Sequence, residues 1–271
     1  MVVSSSSRPC ARLPRPASGW RDVKDAYFIY GMLVLVVATA AAYGVRVMVY
    51  GVARSERVAK IGGTPILGQE LMDWTYWAVG PIVRGLAAAG ITPNMLTWAA
   101  FVFGCGAGVA LAFGWFGLAV MLATFSTVGD ILDGQVARMT NTGSDRGELL
   151  DAAVDRYTEF AFLAGLVIYF RESVLLVLLT MAALLASFMI SYTSAKAEAL
   201  QVSPPRGLMR RHERAVYLIC GVGFTALFGT WIASHGLPAI TPLIAALLAV
   251  AVIGNAAAVI RLYRIGKALP R

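Results

Sequence analysis

The sequence predicts an all-α polytopic membrane protein: a six-helix transmembrane bundle preceded by an interfacial amphipathic helix and an extra N-terminal apolar helix. Composition is the first observation. Of 271 residues 58% are hydrophobic and only 14% charged, with a mean hydropathy of +0.70, which is outside the range of a soluble domain of this size. The second is a series of apolar runs of spanning length separated by short breakers. The third is that Lys and Arg gather at the ends of those runs, the positive-inside pattern. The net charge of +8 therefore points to anionic lipid rather than to nucleic acid, with a minority of cations free to hold an acidic substrate. Cys10, Cys105 and Cys220 are too few and too scattered for a disulfide framework or a zinc site.

Residues 1–26 form a basic tail whose Ser, Arg and Pro content predicts disorder. Residues 27–89 form a second region. It opens with the apolar run Tyr27 to Val45, followed by Arg46, Arg54, Arg57 and Lys60. If this run spans the bilayer, the basic tail lies outside, against the charge rule. Gly62-Gly63-Thr64-Pro65 breaks the chain, and Leu71, Trp74, Ala78 and Ile82 then recur at helical spacing between Leu67 and Leu86. Trp74, Tyr76 and Trp77 belong at a membrane interface, so this helix is expected to lie on the bilayer or on the bundle, interrupted or kinked at Pro81.

Residues 90–271 are the bundle. Gly90 to Asn94 breaks and caps, and helices are expected over Met95 to Phe113, Phe116 to Met139, Gly147 to Phe170, Val174 to Leu200, Ala215 to Ile232 and Pro242 to Tyr263. Charge sorts the connections. Those at 114 and 233–241 carry no Lys or Arg, whereas the loop 201–214 and the tail after Val259 carry four each. The loop 140–146, the loop 201–214 and the C-terminus are thus expected on the cytoplasmic side.

The chemistry sits between the second and third bundle helices. Asp130-Ile-Leu-Asp133-Gly134 and, beyond Arg138 and eight further residues, Gly147-Glu-Leu-Leu-Asp151-Ala-Ala-Val-Asp155 place one carboxylate pair at i, i+3 and another at i, i+4. An unpaired Asp at the centre of a membrane helix costs ~2.5 to 3.5 kcal/mol, so four would cost on the order of 10 kcal/mol and call for a cation. Hard oxygen ligands in this number suit Mg²⁺, Mn²⁺ or Ca²⁺, and two pairs suit a two-metal site. Gly134 allows close approach to the backbone, and Arg138 offers a planar fork to phosphate, so the indicated chemistry is phosphoryl-type transfer. A cation transporter would also bury carboxylates, but the sequence has neither the inverted repeat nor the paired helix breaks of one.

The pattern D-x-x-D-G-x-x-A-R-x8-G-x-x-x-D-x-x-x-D resembles the signature of the CDP-alcohol phosphotransferase family, with all eight fixed positions present. The resemblance extends from about Ile91 to about Arg264. It implies an integral membrane enzyme that moves a phosphatidyl-type group from a CDP-linked lipid such as CDP-diacylglycerol to an alcohol, with CMP leaving. It implies two Mg²⁺ ions, or Mn²⁺, held by Asp130, Asp133, Asp151 and Asp155, with Asp155 also the general base. Pro93, Asn94, Thr97, Gly134, Arg138, Ser144 and Gly147 match positions that hold the nucleotide and its phosphates. A homodimer in the plasma membrane, with the site facing the cytoplasm, is also implied.

Arg156, Lys196, Arg211, Arg214 and Arg261 stand at cytoplasmic helix ends, where each alone is an ordinary snorkelling charge and all together form a pocket for an anionic acceptor. The strings around Asp155-Arg156, Ser191 to Glu198 and Gly207 to Arg214 are similar to those of prokaryotic phosphatidylinositol phosphate synthases in the family, which implies an inositol phosphate acceptor. Ser194 and His212 depart from that pattern, which has a basic residue and a proline there. Glycerol phosphate, serine and other polyols stay open as acceptors.

Overall fold

Among the residues described by the computed structural model, 19–52, 68–202 and 209–269, with side chains from Tyr27 onward, there are eight α-helices and no strand. They are α1 (Gly19–Tyr50), α2 (Gln69–Ala88), α3 (Pro93–Ala112), α4 (Phe116–Met139), α5 (Asp145–Tyr169), α6 (Val174–Ala199), α7 (Arg211–Ser234) and α8 (Thr241–Ala268). The expected basic tail before residue 19, the breaker at 62–65 and the Pro204-Pro205 turn lie outside the described residues.

The local sequence explains the ends. Thr92 caps α3 by accepting from the Met95 N–H, with Pro93 at the first helical position. Ser144 caps α5 by accepting from Gly147 N–H at 3.2 Å. At α7 the Glu213 carboxylate accepts from the Arg210 backbone N–H at 3.2 Å, so the helix begins at Arg211, four residues before the expected Ala215. Two other expectations are corrected. Helix α1 begins at Gly19 rather than Tyr27 and runs five residues past Val45. Helix α2 continues through Pro81 without interruption, the proline lacking only its own N–H donor to the helix.

Helices α3 to α8 close into a ring in the spatial order α4–α3–α5–α6–α8–α7, with α7 returning to α4. The two helices that carry the Asp pairs do not pack closely on each other; both pack on α3. The approach of α3 to α5 is set by glycine: a Cβ on Gly108 would fall on the Ala161 carbonyl, and a Cβ on Gly165 on the Gly108 carbonyl. The apolar core, centred on Leu111, Leu163, Leu166, Phe170, Leu243 and Leu247, fills the half of the ring away from the loop 140–144. Helix α2 covers α4 through Val79 and Val83 against Leu132 and Val136. Helix α1 packs on α4, α7 and α2, with Tyr43 against Trp77 at 5.3 Å between ring centroids. Among the described residues six helices are long and apolar enough to cross a membrane: α1, α3, α4, α6, α7 and α8. Helix α5 fails on composition because Asp151, Asp155, Arg156 and Glu159 interrupt it, yet it occupies a place in the ring.

An ion pair ties α5 to α7. Arg214, 1% exposed, donates from Nε and Nη2 to the two Glu159 oxygens at 3.0 and 3.1 Å and from Nη1 to the Met209 carbonyl at 2.9 Å. This bidentate geometry pairs the fully buried guanidinium with a carboxylate that stays partly exposed.

Two outcomes follow for thermal unfolding of the purified protein. Gly108→Val should cost about 1 to 3 kcal/mol by forcing α3 off α5, while Gly31→Ala on α1, with nothing within 4 Å of the added Cβ, should leave the midpoint nearly unchanged. Glu159→Gln should cost roughly 3 to 5 kcal/mol by stranding Arg214, and Glu159→Leu combined with Arg214→Met should recover most of that loss.

Candidate active site

The site lies at the end of the ring where α4 finishes and α5 begins. Asp130 and Asp133 sit two to three turns before the end of α4, and Asp151 and Asp155 two to three turns into α5. The five-residue link between the helices turns at Asn141, which holds φ 52°, a left-handed value that asparagine tolerates. Because α4 and α5 diverge around α3, the two carboxylate pairs face a gap instead of packed side chains.

All four aspartates line one small cavity of ≈ 10 Å³ together with Thr97 and Arg211, room for about one water or ion. One oxygen each of Asp130, Asp151 and Asp155 lies within 4.8 Å of the other two. Asp133 is buried and accepts a 2.6 Å hydrogen bond on Oδ2 from Thr97 Oγ1. Asp151 Oδ1 is buried and has no hydrogen-bond partner. An orphaned oxygen on a carboxylate clustered with two others is what a divalent cation satisfies, so the donor set fits hard-metal ligation.

Arg211, the first residue of α7, reaches across this cluster. Its Nη1 donates to Asp130 Oδ1 at 3.0 Å, and its other terminal nitrogen contacts Asp155 Oδ1. Arg156 Nη1 stands 3.6 Å from Asp155 Oδ2 and donates to the Ala152 carbonyl at 2.7 Å. His212 Nε2 lies 3.9 Å from Asp130 Oδ2.

A larger cavity of ≈ 1200 Å³ opens beside the cluster. Every residue expected to hold the nucleotide and its phosphates lines it: Pro93, Asn94, Thr97, Gly134, Arg138, Ser144 and Gly147, together with Asp130, Asp133 and Asp151. Gly134 matters sterically, since a Cβ there would lie 3.2 Å from Arg138 Nη1, so glycine lets the guanidinium fold back over the helix. Thr97 has a commitment the sequence did not reveal, its hydroxyl being spent on Asp133.

The five expected acceptor-binding cations are not gathered alike. Arg211 lines the large cavity; the other four do not. Arg156 stays beside Asp155, Lys196 is exposed, Arg214 is engaged by Glu159, and buried Arg261 donates from Nη1 to Ser194 Oγ at 3.3 Å. Sequence reasoning missed Glu159 and passed over Tyr76 as a lining residue. Glu159 was detectable as the next i, i+4 step after Asp151 and Asp155 on one helical face. Tyr76 had no such signal, because the docking of α2 on α4 brings it to the cavity.

Known proteins resemble this chain in sequence and in fold. The phosphatidylinositol phosphate synthase of Mycobacteroides abscessus is 35% identical over 160 residues, covering 55% of this chain and 70% of that protein. The crystal structure of Mycobacterium tuberculosis phosphatidylinositol phosphate synthase with CDP-DAG bound superposes with a TM-score of 0.60 at 28% identity, covering 68% of this chain and 92% of the other. The same enzyme in complex with manganese and citrate gives a TM-score of 0.62 at 27% identity, covering 70% and 91%. The family model for CDP-alcohol phosphatidyltransferase matches residues 90–261, a span that takes in the four aspartates, helices α3 to α7 and most of α8, and the chain belongs to that family.

Proposed function

We propose that this membrane enzyme transfers the phosphatidyl group of CDP-diacylglycerol to the hydroxyl of an inositol phosphate and releases CMP. The observation that carries the reading is the convergence of Asp130, Asp133, Asp151 and Asp155 on one cavity beside a second one large enough for a nucleotide. The names of the relatives, phosphatidylinositol phosphate synthases, support the acceptor, and the CDP-DAG complex of one of them supports the donor. Residues 90–271 form the catalytic unit on this reading, with 27–89 as an N-terminal helical addition. The enzyme works as a homodimer in the plasma membrane with its site open to the cytoplasm.

The four aspartates would hold divalent ions, two Mg²⁺ or Mn²⁺, whose charge would neutralise the pyrophosphate and the departing CMP. The chain's own residues do the rest. Pro93, Asn94, Ser144 and Gly147 shape the cavity for the nucleotide at the meeting point of the α3 and α5 N-termini, where free backbone N–H groups favour phosphate. Arg138, folded over Gly134, offers donors to phosphate oxygens. Thr97 fixes the orientation of Asp133. Asp155, placed by Arg211 and Arg156, accepts the proton as the acceptor oxygen bonds to the phosphorus that carries the diacylglycerol. The bond from that phosphorus to the CMP oxygen then breaks, and CMP takes the electron pair. Arg211 at the cavity, with Arg156 beside Asp155, supplies the positive field for a phosphorylated acceptor, whereas Arg214 is engaged by Glu159 and Arg261 is buried against Ser194.

The test is CMP release by the purified protein from CDP-diacylglycerol with Mg²⁺, across inositol 1-phosphate, glycerol 3-phosphate, serine and inositol. Release should depend on inositol 1-phosphate, stop on chelation of the metal, and fall by roughly 10²-fold or more in Asp151→Asn, the scale of removing one charge-stabilising group from a reacting centre. Release dependent on a different alcohol would replace the acceptor. Release unaffected by Asp151→Asn would overturn the site.

A further inference from the structure

The first turn of α7 presents two nitrogen side chains to one carboxylate. Arg211 Nη1 takes Asp130 Oδ1 at 3.0 Å, and His212, one residue on, places Nε2 3.9 Å from Asp130 Oδ2. The His212 ring lines the same large cavity as Asp130, Asp133 and Asp151 and is half-exposed into it. At 3.9 Å the two atoms are too far apart for a hydrogen bond. They are within the roughly 4.2 Å that two ligand atoms can span on one ion, each about 2.1 Å from it. Asp151, whose Oδ1 is buried and without a hydrogen-bond partner, lines the same large cavity.

We infer that His212 supplies Nε2 as a nitrogen ligand to the divalent ion seated on Asp130, which makes this otherwise all-oxygen site prefer Mn²⁺ over Mg²⁺. The chemistry is general. Mg²⁺ holds to oxygen donors in near-ideal octahedra, whereas imidazole is a good ligand for the first-row transition ions, whose affinities for such donors rise along the Irving–Williams order. An imidazole in the set therefore raises affinity for Mn²⁺ without a matching gain for Mg²⁺. The inference rests on the reading of the four aspartates as a metal site, and the experiment separates the two.

The full-length protein, in detergent and without nucleotide, is titrated with Mn²⁺ and examined by pulsed electron paramagnetic resonance for ¹⁴N coupling to the bound ion. The chain has only two histidines, and His235 caps the far end of α7, about 35 Å along the helix axis at 1.5 Å per residue, so a histidine signal is attributable. Wild-type protein should bind Mn²⁺ with ¹⁴N coupling, and His212→Ala should lose the coupling and about tenfold of its Mn²⁺ affinity relative to Mg²⁺. Mn²⁺ bound by the wild type without ¹⁴N coupling, or coupling kept in His212→Ala, would overturn the inference and leave the aspartate site standing. No Mn²⁺ bound at all would overturn both.

Discussion

Four carboxylates enclosed by helices that lie in a bilayer must be given positive charge, and the rest of the architecture follows from how that is done. Isolated, they would cost on the order of 10 kcal/mol in a medium with no water to solvate them. The chain's own contribution is Arg211, whose guanidinium joins Asp130 of α4 to Asp155 of α5. One side chain thereby connects three helices and offsets charge on both sides of the gap. Thr97 deals with Asp133 from α3. Asp151 is left with a buried oxygen that no protein group satisfies, the place where a metal cation adds most.

The same constraint divides the bundle. One half is filled by close-packed aliphatic side chains around Leu111, Leu163 and Leu243 and carries the packing energy. The other half is cut open by the divergence of α4 and α5, which α3 bridges by packing and Arg211 of α7 by charge. That divergence is possible because Gly108 and Gly165 bring α3 and α5 to backbone contact farther along, in the apolar half. Tight packing at one end holds the helices apart in a fixed way at the other. Preorganised charge of this kind contributes to transfer chemistry because no reorganisation is needed as the pyrophosphate bond breaks.

Much of this was legible in the sequence, for identifiable reasons. Asp130, Asp133, Asp151 and Asp155 stand out because carboxylates are rare in apolar helices, and their i, i+3 and i, i+4 spacing gives their facing directly. Pro93 announces a helix start by its residue type, whereas α5 begins at Asp145, two residues before the expected Gly147. Less legible was what depends on partners distant in the chain. Arg214 looked like a cation on the cytoplasmic rim, but its bidentate partner Glu159 lies 55 residues earlier, and no local pattern pairs them. Arg261, expected to snorkel, is buried against Ser194. The start of α7 at Arg211 escaped notice because the cap is made by a backbone N–H and Glu213 instead of a Ser, Thr or Asp before the helix. That small shift is what aims Arg211 and His212 at Asp130.

The account's central claim is that the four aspartates form one cation site which Arg211 shares. Anomalous diffraction from crystals of the protein grown with Mn²⁺, recorded at the manganese edge, tests it most directly. The account predicts anomalous density between the α4 and α5 carboxylates, with an oxygen of Asp151 in its coordination shell and Arg211 displaced from at least one of Asp130 and Asp155. Density confined to surface carboxylates, with Arg211 still spanning Asp130 and Asp155, would contradict it.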